Sequence, residues 1–190
     1  AEKLLDRSEL AQYLNIDVNK KWVLMTYHPE TTKSLEYNLV SVKNIIEALK
    51  GIDDIQIVIT KSNMDYGGKE INEYLTNIAE NFHCQFRLFA SLGQQRYLSF
   101  MKQASLVIGN SSSGIIETPF LSIPTVNVGE RQKGRYQCKN IIQTFSDINN
   151  IQTAIDVAFR MPKTEYDDKF YWGNGNTSEN IYNILTSVIK

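Results

Sequence analysis

Residues 104–128 have the sequence ASLVIGNSSSGIIETPFLSIPTVNV. This segment contains a short apolar strand (Leu106–Gly109), a glycine- and serine-rich loop, a helical segment (Gly114–Leu121) and a second apolar strand (Thr125–Val128). Continuous apolar runs of this kind are typical of strands that are covered on both faces. A strand, a helix and a strand in succession predict a right-handed crossover between two parallel neighbours.

The same alternation extends over the rest of the chain. Further strands are predicted at Trp22–Tyr27, Ile55–Thr60, Cys84–Phe89 and Asn140–Phe145. Helical periodicity predicts helices at Ser8–Leu14, Ser34–Lys50, Lys69–Phe82, Gln94–Gln103, Ile148–Arg160 and Ser178–Ile189. This order predicts an α/β fold, with a doubly wound, mainly parallel sheet and helices on both faces. An antiparallel α+β domain is the alternative, but it would need hairpin signals between strands, which are missing.

Composition limits the classes of function. The chain has 190 residues, with 20 Lys and Arg against 21 Asp and Glu, so no basic excess is present to bind nucleic acid. No apolar run approaches the ~18 residues of a membrane span. The two cysteines, Cys84 and Cys138, are expected to be buried thiols of a cytoplasmic protein, and zinc-ligand spacing is absent. Residues 1–190 are predicted to form a single domain.

Ligands of open parallel sheets bind beyond the carboxyl ends of the strands. The loops that leave the first five predicted strands all carry small, hydroxyl or charged residues. These loops are residues 28–32, 61–68, 90–93, 109–114 and 129–135. The convergence of five such loops at one edge predicts the functional site there.

The sharpest signal is the loop of residues 109–114, GNSSSG, which we call the serine loop. It follows a strand and opens a helix, so free N–H groups, the helix dipole and the hydroxyls of Ser111, Ser112 and Ser113 favour a phosphate. The alternative is a cluster that only caps the helix, since serine is a preferred N-cap. The loop matches neither the Walker A pattern nor GxGxxG, so P-loop chemistry and nicotinamide binding are not supported.

Three more residues have both a functional and a structural interpretation. Glu117 can accept hydrogen bonds from a ribose diol, or it can be the glutamate of a capping box. His28 can contact a phosphate or cap a strand end; a cationic imidazole would favour an anion, whose binding would then weaken as the pH rises. Arg131, with Lys133 and Arg135, either closes over a phosphate or forms a solvated surface. The aromatic side chains of Tyr74, Tyr97 and Phe100 are interpreted as core.

Four segments together resemble one known family. They are HPETT at 28–32, GNSSSGIIETP at 109–119, PTVNVGERQKGR at 124–135 and FYWGNGNTSENI at 170–181. From about Trp22 onwards the chain resembles the hydrolysing UDP-N-acetylglucosamine 2-epimerases, in the branch that serves sialic-acid and legionaminic-acid pathways. The resemblance implies the C-terminal, Rossmann-like half of a two-domain GT-B fold, with residues 1–20 as the leading helix and interdomain connection.

The resemblance also implies a function. In this family UDP is eliminated from the sugar nucleotide, and water then adds to release the 2-epimeric free sugar. The carboxylates assigned to this chemistry belong to the N-terminal half, so the chain alone is expected to bind UDP without turnover. The implied partners are UDP, a UDP-N-acetylhexosamine and the N-terminal half of the same enzyme; a homo-oligomer stays open. No metal or other cofactor is implied.

Site residues follow from motif positions. The three serines of the serine loop resemble the diphosphate contacts, and Glu117 resembles the ribose contact. His28 resembles the family histidine that faces the phosphates and the sugar, and Arg131 the arginine beside the phosphates. Asn63 falls where the second-strand loop lines the cleft, and Leu92 where the backbone contacts uracil.

Two other classes of function remain as alternatives. The chain could be the donor-nucleotide half of a GT-B glycosyltransferase, or a non-catalytic module that binds a sugar nucleotide. The pairing of GNSSSGIIETP with ERQKGR favours the epimerases. A flavodoxin-like signalling domain would need an acidic pocket where His28 and Pro29 stand.

Overall fold

The computed structural model describes residues 3–162 and 164–189. The strands are β1 (Lys21–Thr26), β2 (Ile55–Thr60), β3 (Phe86–Phe89), β4 (Leu106–Gly109), β5 (Thr125–Val128) and β6 (Ile141–Thr144). The helices are α1 (Arg7–Leu14), α2 (Leu35–Lys50), α3 (Gly68–Asn81), α4 (Gly93–Gln103), α5 (Ser113–Leu121), α6 (Ile148–Arg160) and α7 (Thr177–Val188). In this part of the chain, no helix has the length and apolar character needed to cross a bilayer.

All neighbouring strands pair in parallel, in the order β3-β2-β1-β4-β5-β6. The predicted doubly wound parallel sheet is therefore confirmed, and the antiparallel alternative is wrong. Val23 of β1 lies between Ile57 of β2 and Leu106 of β4. The order of the strands reverses at this point, and a crevice opens beyond their carboxyl ends.

The sheet separates two apolar clusters, as the unbroken apolar strands predict. Alternate residues of β1 enter each cluster: Val23 and Met25 face the first, and Trp22 and Leu24 face the second. Helices α2, α3 and α6 cover the first cluster, and α1 and α4 contribute to the second. Burial of a large aliphatic side chain stabilises the fold by roughly 1.5–3 kcal/mol relative to exposure.

The predicted element boundaries hold to within two residues, and the differences have local causes. Helix α1 begins one residue before Ser8, because Asp6 caps it. The Asp6 carboxylate accepts from Glu9 N–H at 2.9 Å, and the Glu9 carboxylate accepts from Asp6 N–H at 2.8 Å. Strand β3 begins after Cys84, in a turn that leaves this thiol exposed. The predicted burial is correct for Cys138 and wrong for Cys84.

Candidate functional site

Four of the predicted loops meet where β1, β2, β4 and β5 end. The backbone N–H of Asn63 donates to Nδ1 of His28 at 3.1 Å, which joins the first two loops. The backbone N–H of His28 donates to Oδ1 of Asn110 at 2.7 Å, which joins the first loop to the serine loop. Nη1 of Arg131 donates to the carbonyl of Asn110 at 3.1 Å. The structure thus brings His28, Asn63, the serine loop and Arg131 together.

His28 is a neutral imidazole in this arrangement. A backbone N–H is only a donor, so Nδ1 must accept and the ring proton must lie on Nε2. Partial burial, with the charge of the nearby Arg131 guanidinium, lowers the pKa of His28 from 6.5 to about 4, while Asp65 acts in the opposite direction. Before an anion binds, His28 is therefore neutral at neutral pH, and anion binding that weakens as the pH rises stays a prediction. The side chain keeps one N–H to donate.

The side-chain contact that the serine loop makes to the start of its helix comes from Ser111, whose Oγ accepts from the backbone N–H of Ser113 at 3.4 Å, and not from Ser112. Ser112 is the N-cap residue of α5, but its side chain makes no capping hydrogen bond, because its backbone is already helical (φ −61°, ψ −26°). Across residues 3–162 and 164–189, the backbone N–H groups of Ser111 and Ser112 find no acceptor. The capping alternative is therefore wrong for Ser112, and two N–H groups at a helix N-terminus remain for a ligand.

Tyr97 belongs to this site, although sequence reasoning interpreted it as core. Its half-buried ring packs against the second apolar cluster, as a core residue would. Its hydroxyl, however, lies 2.6 Å from Oγ of Ser113 and 3.4 Å from Oγ1 of Thr26. The pattern of apolar residues in α4 does not predict the position of this hydroxyl, because a tyrosine can pack its ring in the core and still direct its oxygen to a polar edge.

Glu117 lies one turn into α5, beside a cavity of about 660 Å³ between α4, α5 and the segment before α7. The capping-box alternative is wrong, because Ile115 occupies the third helical position that such a glutamate needs. Oε2 of Glu117 is buried without a hydrogen-bond partner in the described chain, and burial raises the pKa of this carboxyl. Such a carboxylate can accept hydrogen bonds from a ligand.

The basic loop of residues 129–135 divides into two parts. Arg131 is directed to the serine loop, through Asn110. Lys133 instead pairs with Glu130 at 3.1 Å, and Lys33 pairs with the same carboxylate at 2.8 Å. These two lysines lower the pKa of Glu130 to about 2. The solvated-surface alternative thus describes Lys133, and Arg131 faces the site.

Leu92 stands apart from the other predicted residues. Its side chain is buried in the second apolar cluster with Trp22 and Phe100. It is also the N-cap residue of α4, with no side-chain cap. Its side chain is therefore not available to a ligand, and the backbone contact with uracil that the resemblance implies stays a prediction.

Sequence reasoning missed two buried polar residues that organise the site. Asn110 is fully buried, and its carbonyl also accepts from Nε2 of Gln132 at 2.7 Å. Glu30 is buried at 4% exposure, and its carboxylate accepts from the backbone N–H of Glu130 at 3.0 Å. Both residues lie within the quoted motifs. Asn110 directly follows β4, and a polar residue in that place was the available signal; Glu30 lies four residues beyond β1 and had no such signal.

Comparison with known proteins gives the family. The family model described as UDP-N-acetylglucosamine 2-epimerase matches residues 2–186. A hydrolyzing GDP/UDP-N,N'-diacetylbacillosamine 2-epimerase of Campylobacter jejuni is 39% identical over 152 residues, which cover 80% of this chain and 39% of the relative. A hydrolyzing UDP-N,N'-diacetylbacillosamine 2-epimerase of Legionella pneumophila is 29% identical over 186 residues, which cover 98% and 48%. The chain spans about half the length of these relatives or less.

A solved structure agrees with the fold. The UDP-GlcNAc 2-epimerase of Neisseria meningitidis, bound to UDP-GlcNAc, superposes with a TM-score of 0.74 at 16% identity. The superposition covers 95% of this chain and 49% of that one, which confirms the predicted Rossmann-like half of a GT-B fold. The family match extends over nearly the whole chain, and the chain therefore belongs to the UDP-N-acetylglucosamine 2-epimerase family.

Proposed function

We propose that this chain is the UDP-binding domain of a hydrolysing UDP-N-acetylglucosamine 2-epimerase. The observation that carries the proposal is the serine loop, where the N–H groups of Ser111 and Ser112 remain unpaired in the described chain at the start of α5. Unpaired N–H groups and the positive end of a helix dipole form a site for a diphosphate.

The site is suited to hold UDP as a leaving group. Negative charge develops on the diphosphate when its bond to the sugar breaks. Hydrogen-bond donors that are already in place stabilise that charge without further reorganisation. The donors here are the serine loop, the cationic Arg131 and Nε2–H of His28. We assign His28 as the catalytic residue of this half, since a neutral imidazole can donate to the departing phosphate or the sugar.

The nucleoside is proposed to occupy the cavity beside Glu117. Its volume of about 660 Å³ suits a small-molecule site. The unpartnered Oε2 of Glu117 would accept from the ribose diol. The backbone near Leu92 would contact uracil, and Asn63 would line the cleft beyond His28.

The remainder of the enzyme is proposed to be the N-terminal half, which supplies the acid–base carboxylates. Helix α7 contains no buried residue, and its exposed apolar side chains Ile181, Ile184, Leu185 and Val188 share one face. Such a face requires a cover, and the missing half of the polypeptide is our candidate. Residues 1–20, in which α1 packs Leu10 and Leu14 into the core, are proposed to connect the two halves.

The epimerase function is favoured over the two alternatives by the family match across residues 2–186. The substrate class is a UDP-N-acetylhexosamine, because the relatives are named for UDP-linked N-acetylated sugars. Membership of a sialic-acid-type pathway and a cytoplasmic location remain parts of the proposal. The homo-oligomer remains a prediction.

A titration tests the proposal. The 190-residue chain should bind UDP weakly, and more tightly than ADP, because half of the cleft is missing and burial of the ligand is incomplete. NMR titration with UDP, ADP and uridine measures this. Equal affinity for UDP and ADP would contradict the uridine assignment.

The same chain should release no UDP from UDP-N-acetylglucosamine above background. Turnover would place the catalytic carboxylates within these 190 residues.

A further inference from the structure

A row of hydroxyl groups connects the sheet to the serine loop. Oγ1 of Thr60 lies 2.6 Å from Oγ1 of Thr26, which lies 3.4 Å from the hydroxyl of Tyr97. The Tyr97 hydroxyl lies 2.6 Å from Oγ of Ser113. Oγ of Ser113 in turn donates to Oγ of Ser111 at 3.0 Å. The row thus runs from buried strand ends to the first serine of the loop.

The donor in each contact follows from the chemistry of the hydroxyl group. A serine hydroxyl has one hydrogen to donate and two lone pairs to accept with. Ser113 uses its hydrogen toward Ser111. The 2.6 Å contact between Tyr97 and Ser113 therefore has the Tyr97 hydroxyl as its donor. The chain of hydrogen bonds has one direction, from Tyr97 through Ser113 to Ser111.

This series of hydrogen bonds ends at the hydroxyl group of Ser111, whose hydrogen is free to be donated. Oγ of Ser111 accepts from Oγ of Ser113 and, at 3.4 Å, from the backbone N–H of Ser113. Both of its lone pairs are occupied, so what remains is its hydrogen. Among residues 3–162 and 164–189 that hydrogen has no acceptor. A hydroxyl in this state favours an anion as its partner, and accepting hydrogen bonds strengthens its donation.

We propose that Tyr97 is a positioning residue for the phosphate site, acting through Ser113 to hold the Ser111 hydroxyl as a donor to the diphosphate. The inference rests on the proposed UDP-binding function and adds a residue that lies outside the serine loop. Without the Tyr97 hydrogen, Ser113 would be free to turn its hydroxyl away from Ser111. Ser111 would then lose a lone-pair partner and the preference for donation.

Tyr97→Phe is the decisive variant, because it removes only the oxygen. The ring that packs against the second cluster is retained, so the fold should persist. Tyr74→Phe, at a half-buried tyrosine of α3, is the matched control for the loss of a phenol oxygen. NMR titration of the 190-residue chain with UDP and with uridine separates the phosphate contribution from the nucleoside contribution.

We expect Tyr97→Phe to weaken UDP binding about three- to tenfold, the effect of one lost hydrogen bond, and to leave uridine binding unchanged. In the Ser111→Ala background, Tyr97→Phe should cause no further loss, since its effect passes through Ser111. Equal weakening of UDP and uridine, additive losses in the double variant, or no effect would each overturn the inference. Equal affinity of the unaltered chain for UDP and uridine would overturn the diphosphate assignment, and this inference with it.

Discussion

Asn110 holds the backbone of His28 from both sides, although 82 residues separate them in sequence. Oδ1 of Asn110 accepts from the His28 N–H at 2.7 Å, and Nδ2 donates to the His28 carbonyl at 2.8 Å. The backbone N–H of Asn110 donates to the carbonyl of Thr26 at 3.1 Å. One buried amide thus fixes the loop after β1 against the loop after β4. Because the His28 backbone is held, the position of its imidazole is set as well.

Asn110→Ala should therefore destabilise the fold and the site together. Two part-buried backbone groups of His28 would lose their partners, at roughly 1–3 kcal/mol for each group left unsatisfied. Urea unfolding should show the loss, and UDP affinity should fall because His28 is no longer held. Asn149→Ala, at an exposed position of α6, is the control. A stability equal to that of the control would contradict this role.

Ser112→Ala should change binding and leave stability nearly unchanged. The Ser112 side chain makes no capping bond, so the loss of about 1 kcal/mol that is typical of a removed cap should not appear. A lost hydrogen bond to a charged phosphate oxygen should cost roughly 1.5–3 kcal/mol of UDP binding. Uridine affinity should not change. Thermal unfolding and paired titrations check both parts, and a large fall in Tm with unaltered UDP affinity would restore the capping role.

Glu117→Gln should stabilise the fold and weaken the binding of both UDP and uridine. Burial raises the pKa of the carboxyl, so the charged form is unfavourable in the folded state at neutral pH. The neutral amide should raise Tm at pH 7, and the gain should shrink as the pH falls and the glutamic acid of the unaltered chain protonates. UDP and uridine should both bind more weakly, because the ribose contact is common to them. Glu36→Gln, exposed on α2, is the control; an effect on UDP alone would argue against a ribose contact.

His28 should resist protonation. Its pKa is lowered to about 4 from 6.5, so the unfolded chain binds the proton more readily between these values. Protonation of His28 therefore lowers the free energy of unfolding. The contribution of the neutral imidazole is complete above about pH 6.5 and is lost as the pH falls toward 4. His28→Gln should remove this dependence. In NMR the His28 ring should titrate near pH 4, and a midpoint near 6.5 would contradict the neutral, Nε2–H form.

Two glycines of the basic loop offer a matched pair of variants. Gly129 and Gly134 both have positive φ, +83° and +87°, so alanine is strained at each. A Cβ at Gly129 would overlap Oε1 of Glu30, whereas a Cβ at Gly134 meets no atom within 4 Å. Gly129→Ala should therefore lower the free energy of unfolding more than Gly134→Ala, and Glu30→Ala should narrow the difference. Equal losses would mean that Glu30 does not position the loop that carries Arg131.

Much of the fold was predictable because its signals are local. Apolar runs, helical periodicity and the missing hairpin turns indicated the parallel sheet and placed the serine loop at a strand end. The start of β3 differed from the prediction. The apolar run had assigned Cys84 to this strand, but the residue lies in the turn between α3 and β3. Parallel topology alone then required His28, Asn63, the serine loop and Arg131 to share an edge.

The chemistry of that edge was decided by tertiary contacts. The sequence by itself determined which loops converge, since strand direction follows from the alternation of strands and helices. It did not determine that Asn63 N–H would donate to Nδ1 of His28, that the Ser112 side chain would make no capping bond, or that the Tyr97 hydroxyl would reach Ser113. Those outcomes depend on where side chains from separate strands and helices point once the sheet is assembled: 35 residues separate His28 from Asn63, and 16 separate Tyr97 from Ser113. Periodicity reports which face of an element is buried, and only packing decides which polar atoms meet there.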